Sequence, residues 1–351
     1  MYATLFLYRI VDICDELDVR LLTQKLKKLK VRPLKLRHFT PAYLNFSVPP
    51  VEMDAEPWWL SDEKLEVQTQ FKFYSLGTVT IRFAINFEVD DDTSLFNRAQ
   101  SIINNEAFAV RTETAAREVC ALVSQELGIA ARPTYTEDYN ILWISGKAEL
   151  ARGKWKVLAA QFLRNEFLPL SATEQEEAWK HHFSYTEDDV TVVDWDRAVT
   201  ISPEPEDDVW DVLEYANLQL VELRYYEDEL DKRLAEVYNL ARQRFAFLNF
   251  FRTPRLLRRT LRLFLDFSSV EEKINGFLRL TGDEFLSRVY LAAGKRLNIN
   301  NQQQQLKEKL NDTRELYQTL ADEFGAFRGE FLEIIVIILI VLEILMYFWG
   351  K

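Results

Sequence analysis

Nine consecutive aliphatic residues, Ile334 to Leu342, lie inside the apolar run FLEIIVIILIVLEILMYFW that occupies residues 331–349. As a helix this run is about 28 Å long, close to the hydrocarbon thickness of a bilayer. Two carboxylates, Glu333 and Glu343, weigh against insertion. About thirteen strongly apolar residues at about −0.5 kcal/mol each give about −6 kcal/mol, against about +2 to +3 for a carboxylate at the centre. The sum predicts a single C-terminal transmembrane helix, a tail anchor, with Glu333 at its entry and Glu343 as an intramembrane carboxylate near the far interface. Tyr347 and Trp349 suit an aromatic belt, and Lys351 ends in water. The N-terminus, MYATLFLYR, reads as a strand and carries neither a signal-peptide nor a transit-peptide pattern. The expected place is therefore the inner (cytoplasmic) membrane with the large domain facing the cytoplasm, or the mitochondrial inner membrane facing the matrix in a eukaryote.

A heptad series leads into this run. Leu306, Leu310, Thr313, Tyr317, Leu320, Phe324, Phe327, Phe331, Ile334, Ile338, Val341 and Leu345 alternate steps of four and three, so stalk and anchor read as one continuous helix. An earlier series has the same spacing: Val209, Leu213, Ala216, Leu220, Leu223, Glu227, Leu230, Leu234, Val237 and Ala241. Residues 268–293 read as a third helix, with Ser269 as a cap and Glu271 and Glu272 in its first turn. Between them, residues 237–265 hold seven arginines, several phenylalanines and no acid. Arg252, Arg255, Arg258, Arg259 and Arg262 form a candidate contact for anionic lipid headgroups or phosphates, with RNA and an ordinary solvated helix face as the other readings.

The first 150 residues mix the two periodicities. Strands are expected near residues 4–10, 43–48, 71–75, 79–87 and 139–144, and helices near 12–29 and 93–127; FKFYSLGTVTIRFAINFEV reads as a hairpin turning at Gly77. A second basic zone, including Lys25, Lys27, Lys28, Lys30 and Arg32, is a candidate docking patch against the plainer reading of a wet helix face. The net charge of −12 argues against a protein that coats nucleic acid with its whole surface. Ten glycines and ten prolines in 351 residues argue for order and much helix. No phosphate-loop, dinucleotide, nucleophile-elbow or paired-cysteine motif occurs, so no catalytic residue, cofactor, metal or small-molecule substrate is indicated. His181 and His182 stand without zinc-ligand spacing, and Cys14 and Cys120 read as buried thiols.

Three segments resemble a known family. DWDRAVTISPEPEDDVWDVLEYANLQLVELRYYEDELDKRL (residues 194–234), the closing FLEIIVIILIVLEIL (331–345) and the hairpin FKFYSLGTVTIRF (71–83) are similar to proteins named "required for meiotic nuclear division", a domain of unknown function. The resemblance implies a membrane-anchored, oligomeric protein, with organellar translation as the role of mitochondrial members; the missing presequence points to a bacterial one. It transfers no catalytic residue.

The expected fold class is α+β: an N-terminal mixed α/β domain (1–150), a connecting region with short strands and helices (151–205), a long-helix, three-helix, coiled-coil-like bundle (206–330) and a transmembrane anchor (331–349). The expected function is a non-catalytic, homo-oligomeric membrane scaffold or tether for a cytoplasmic partner, with ribosome or RNA contact as one form of it. A membrane-tethered enzyme and an oligomeric channel using Glu343 are the alternatives.

Overall fold

The computed structural model describes residues 1–26, 31–33, 50–60, 64–151, 153–242 and 284–349. The described strands form a mixed sheet. In chain order they are β1 (Tyr2–Asp12), β2 (Val31–Pro33), β3 (Val51–Asp54), β4 (Trp58–Leu60), β5 (Leu65–Phe73), β6 (Thr78–Glu88), β7 (Thr136–Ser145), β8 (His182–Phe183), β9 (Val190–Val193) and β10 (Arg197–Ser202). The spatial order is β2-β3-β5-β6-β1-β7-β10-β9-β8, with β4 also on β5. Every pairing is antiparallel except β7 with β10. Strands beyond residue 180 therefore complete the sheet begun at residue 2.

Strand periodicity sends alternate side chains to opposite faces. Leu5 and Leu7 of β1, Ile81, Phe83 and Ile85 of β6, and Leu142 and Ile144 of β7 join one core. Against it pack α2 (Asp92–Ile103), α3 (Glu106–Leu127) and α4 (Lys154–Leu163), whose Phe96, Phe108 and Phe162 are buried there. Residues 93–127, expected as one helix, break at Asn104–Asn105 because the Asn105 side chain accepts from the Ala107 N–H and starts α3. Likewise α1 is only Val19–Lys25: β1 runs on to Asp12, and Asp18 caps the helix by accepting from the Leu21 N–H. The expected strand at 43–48 lies outside the described residues.

The β5–β6 hairpin turns at Gly77, as its sequence indicated. Its carbonyl accepts from the N–H groups of Ile13 and Cys14, which ties the hairpin to the end of β1. Gly77 has φ +96°, and a Cβ there would stand 1.6 Å from the Cys14 carbonyl oxygen. Gly77→Ala is therefore expected to cost at least about 2 kcal/mol from strain and displacement. A chemical denaturation midpoint equal to that of the native chain would refute this.

The other face of the sheet receives α6 (Asp207–Arg242). Trp210 packs 4.8 Å from Phe6 and 6.1 Å from Trp143, centroid to centroid, and its indole N–H donates to Thr200. Residues 212–223 of α6 are buried on every side, whereas a two-stranded coil leaves three or four positions per heptad wet. The heptad residues here serve a core helix. α7 (Glu284–Arg296) donates from Tyr290 to Gln219.

The chain divides into two compact units, one of Met1–Tyr225 with Val270–Asn301, the other of Tyr226–Ser269 with Gln302–Lys351. In the second unit, α6 and α8 (Ile299–Trp349) meet where the Lys309 ammonium bridges Glu227 at 3.0 Å and Asp231 at 2.9 Å. Leu230, Leu306, Leu310 and Thr313 are buried there. The one break in the apolar seam, Glu227, is thus answered by a lysine of the other helix.

The tail-anchor expectation is corrected. Among the described residues no helix is long and apolar enough to cross a membrane. The charge-free aliphatic stretch between Glu333 and Glu343 is the nine residues Ile334 to Leu342, about 14 Å of helix, where a span needs about 20 residues. The carboxyl side chain of Glu343 lies outside the described residues.

Candidate functional site

Most sequence-derived candidates fall outside what can be placed. Arg252, Arg255, Arg258, Arg259, Arg262, Lys27, Lys28 and Lys30 are not among the described residues. Arg32 lies in β2, but its side chain is outside the described set. Lys25 is exposed in the last turn of α1 and donates to the Glu126 carbonyl at the end of α3, where a cation meets the negative end of a helix. Of these candidates the structure places only the Lys25 side chain.

What it does bring together is a buried ionic joint between the sheet and α6. The even-numbered residues of β5 and β6, Lys72, Thr78, Thr80 and Arg82, share a face by strand periodicity, and Tyr8 of β1 lies opposite Arg82 in register. Onto this face α6 lays Asp211, Glu214 and Glu222, separated by one and two turns. The Lys72 ammonium donates to Asp211 at 2.7 Å and to Glu214 at 2.8 Å, with Glu52 of β3 at 3.8 Å. Tyr74 donates to the other Glu214 oxygen at 2.6 Å, and Thr78 donates to Glu222 at 2.6 Å. Lys72, Glu214 and Glu222 are all buried, so pairing is obligatory: an isolated charge here would cost several kcal/mol. Arg82 Nε and Asn217 Oδ1 have no hydrogen-bond partner among the described residues.

Burial lowers the Lys72 pKa, but Asp211 and Glu214 outweigh it and hold the ammonium charged well above its ordinary range. Burial pushes Glu214 up; the Lys72 charge and the bonds from Lys72 and Tyr74 overcome this and leave it below the usual value. Asp211 goes the other way, pushed by burial to about 6 despite Lys72. The two acids compete for one ammonium, and a proton resides more readily on Asp211.

A second clamp ties three segments of the first unit. Asp194, following β9, accepts from Arg164 at the end of α4 and, at 2.6 Å, from Arg296 at the end of α7. Arg164 also pairs with Glu174 of α5 (Ala172–Ala178). Replacing Asp194 with alanine leaves two partly buried guanidinium groups facing each other and is expected to cost about 3 kcal/mol. An unfolding midpoint shifted by less than the scatter between replicates would show the clamp to be idle. At the end of β1, burial raises the Asp12 carboxyl to about 6, Cys14 to about 12 and Cys120 to about 11. Both thiols are thus protonated and poorly nucleophilic near neutrality.

Among the described residues no group of three or more His, Cys, Asp or Glu side chains could hold a metal ion. His182 contacts the Trp179 carbonyl through Nδ1 at 2.7 Å, and its neighbour His181 is held below the ordinary histidine pKa, first by burial and then by Arg296. These polar clusters are joints between elements, with acids and bases set against each other. Strand register could have revealed the first of them: Lys72, Thr78, Thr80 and Arg82 alternate with core residues in sequence, but such a face reads as solvated unless the acid spacing of α6 is set against it.

These features define an α+β protein whose sheet is covered on both faces. The chain belongs to the family described as "Uncharacterized protein MJ0711, N-terminal domain", whose model matches residues 2–208. It is similar to the uncharacterized protein MJ0711 of Methanocaldococcus jannaschii, at 22% identity over 194 residues, 54% of this chain and 59% of that protein. The match thus spans less than two thirds of the relative's length. No solved structure matches. The resemblance to the meiotic nuclear division family is corrected by this assignment, and the archaeal relative overturns the bacterial reading. That resemblance rested mostly on heptads and an aliphatic run, which any long amphipathic helix can supply, with one hairpin beside them. The assigned family matches instead across the sheet.

Proposed function

We propose that this chain is a non-catalytic assembly protein: an α+β head carrying a coiled-coil-like helical bundle through which copies of the chain associate. The observation that carries the reading is the exposed apolar surface of α8. Val336, Ile337, Ile338, Leu339, Ile340, Val341 and Leu342 are each 49–59% exposed. Contiguous apolar surface of this kind marks an interaction site. Ile338 and Val341 continue the four-three series whose members Leu306, Leu310 and Thr313 are buried. The seam is covered at its start and open further along. A second copy offers a surface with the same spacing, and identical seams are self-complementary.

Light scattering on the full chain at micromolar concentration is expected to give a multiple of one protomer mass. Ile338→Lys with Val341→Lys is expected to weaken association at least about a hundredfold, since each buried aliphatic contributes about 2 kcal/mol per copy. A native chain that stays monomeric, or that sediments with phosphatidylcholine vesicles as single copies, overturns the proposal.

A further inference from the structure

The joint between α6 and the sheet holds more acid than its cations require. Around the Asp211 carboxyl stand Glu52 from β3, Lys72 from β5, Tyr74 after it, Arg82 from β6, Tyr8 from β1 and Glu214 on its own helix. Among the described residues, two cations thus face three carboxylates. Lys72 has three N–H donors and gives its two short bonds to Asp211 and Glu214. Asp211 retains 19% of its side-chain exposure, against 2% for Glu214, so it is the acid of the pair that solvent protons reach. Asn217 Oδ1, without a partner among the described residues, is an acceptor within a joint whose hydrogen bonding is incomplete.

We propose that Asp211 and Glu214, seated on the single ammonium of Lys72, form a proton-sharing pair that makes the grip of α6 on the sheet stronger in mildly acidic solution than in neutral solution. When both acids are ionised, two buried negative charges compete for Lys72. One proton on Asp211 leaves a matched Lys72–Glu214 pair and turns the aspartate into a donor.

The sign follows from linkage. A carboxyl whose pKa is higher folded than unfolded binds its proton more tightly in the folded chain. Stability from Asp211 is therefore gained as pH falls from about 6 towards the ordinary aspartate value, and is lost as pH rises through 6. Glu214, held low, contributes oppositely and only in more acidic solution: its stabilisation is lost as pH falls below the ordinary glutamate range. For a shift from 3.8 to about 6 the folding constant is about tenfold larger at pH 5 than at pH 7.5.

The test is the urea unfolding of the full chain across pH 5 to 7.5, compared with Asp211→Asn. Other carboxylates, Asp12 among them, titrate in both chains and cancel in the difference. The native chain is expected to gain about tenfold more folding constant than the variant on going to pH 5. Equal pH dependence in the two overturns the proposal. Should the variant not fold, carbon-13 titration of the aspartate carboxyls in the native chain decides: the Asp211 resonance is expected to move with a midpoint near 6, and a midpoint below 4.5 overturns it.

Discussion

Trp210→Ala is expected to remove about 3–5 kcal/mol of stability, a large share of what a domain commonly has. Trp210 is 1% exposed and is the largest fully buried side chain among the described residues. It fills the space between Phe6 of β1 and Trp143 of β7 on the α6 side of the sheet. Alanine empties that space across the middle of the sheet, where paired strands on both sides prevent collapse. Trp210→Phe keeps most of the apolar contact and loses one hydrogen bond, while Thr200 keeps its bond from Thr191 at 3.1 Å. The expected order of urea midpoints by circular dichroism is native, then Phe about 1 kcal/mol lower, then Ala. The same reasoning applies to the family boundary. The family model ends at residue 208, just where α6 begins. A chain stopped after Ser202 retains every described strand but exposes Phe6, Trp143 and the Lys72 joint to water, and is expected to bind hydrophobic dye and unfold without a cooperative transition. Cooperative unfolding of that fragment with native-like stability would show that α6 is an accessory rather than part of the core.

Strand periodicity made the sheet legible where it alternated over many residues, as in β6, where Val79, Ile81, Phe83, Ile85 and Phe87 are all buried. The Gly77 turn was legible for the same reason, since glycine alone tolerates that φ beside the Cys14 carbonyl. Pairing order was not. β1 joins β6 and β7 across 65 or more intervening residues, and nothing local records that choice. The strands at 190–202 were expected only as short strands of a connecting region, not as part of the main sheet, because VTVV and RAVTIS are short and buried on both faces, without the alternation that marks a half-wet strand. The α6 seam was read correctly as apolar at Val209, Leu213, Ala216, Leu220, Leu223 and Leu230, yet heptad spacing cannot distinguish a coil from a helix enclosed on all sides. The candidate site was the least legible. Lys72 and Glu214 are 142 residues apart, and each reads as a solvated residue until the other is placed against it.

Lys72→Met is the sharper perturbation of that joint. It leaves Asp211 and Glu214 buried without their cation, and breaking a buried pair from one side costs about 3–5 kcal/mol. The deficit is expected to shrink as the solution is acidified, because Asp211, no longer held down by the Lys72 charge, takes a proton and one of the stranded charges disappears. Replacing the whole cluster at once, Lys72→Met with Tyr74→Phe, Asp211→Leu and Glu214→Leu, removes the charges together with their desolvation cost, and the urea midpoint is expected to return to within about 1–2 kcal/mol of native. If the cluster replacement proves as unstable as Lys72→Met alone, the ion pairs contribute net stability and this account of them fails. What the charges supply instead is register. Sliding α6 by one helical turn would set Tyr215 and Leu218 where Asp211 and Glu214 now meet Lys72, leaving a buried ammonium unpaired. An apolar cluster carries no such penalty, because leucine packs acceptably at either position. The fourfold variant is therefore expected to show doubled or broadened amide resonances for α6 and for the β5–β6 hairpin beneath it, while the native chain gives one set.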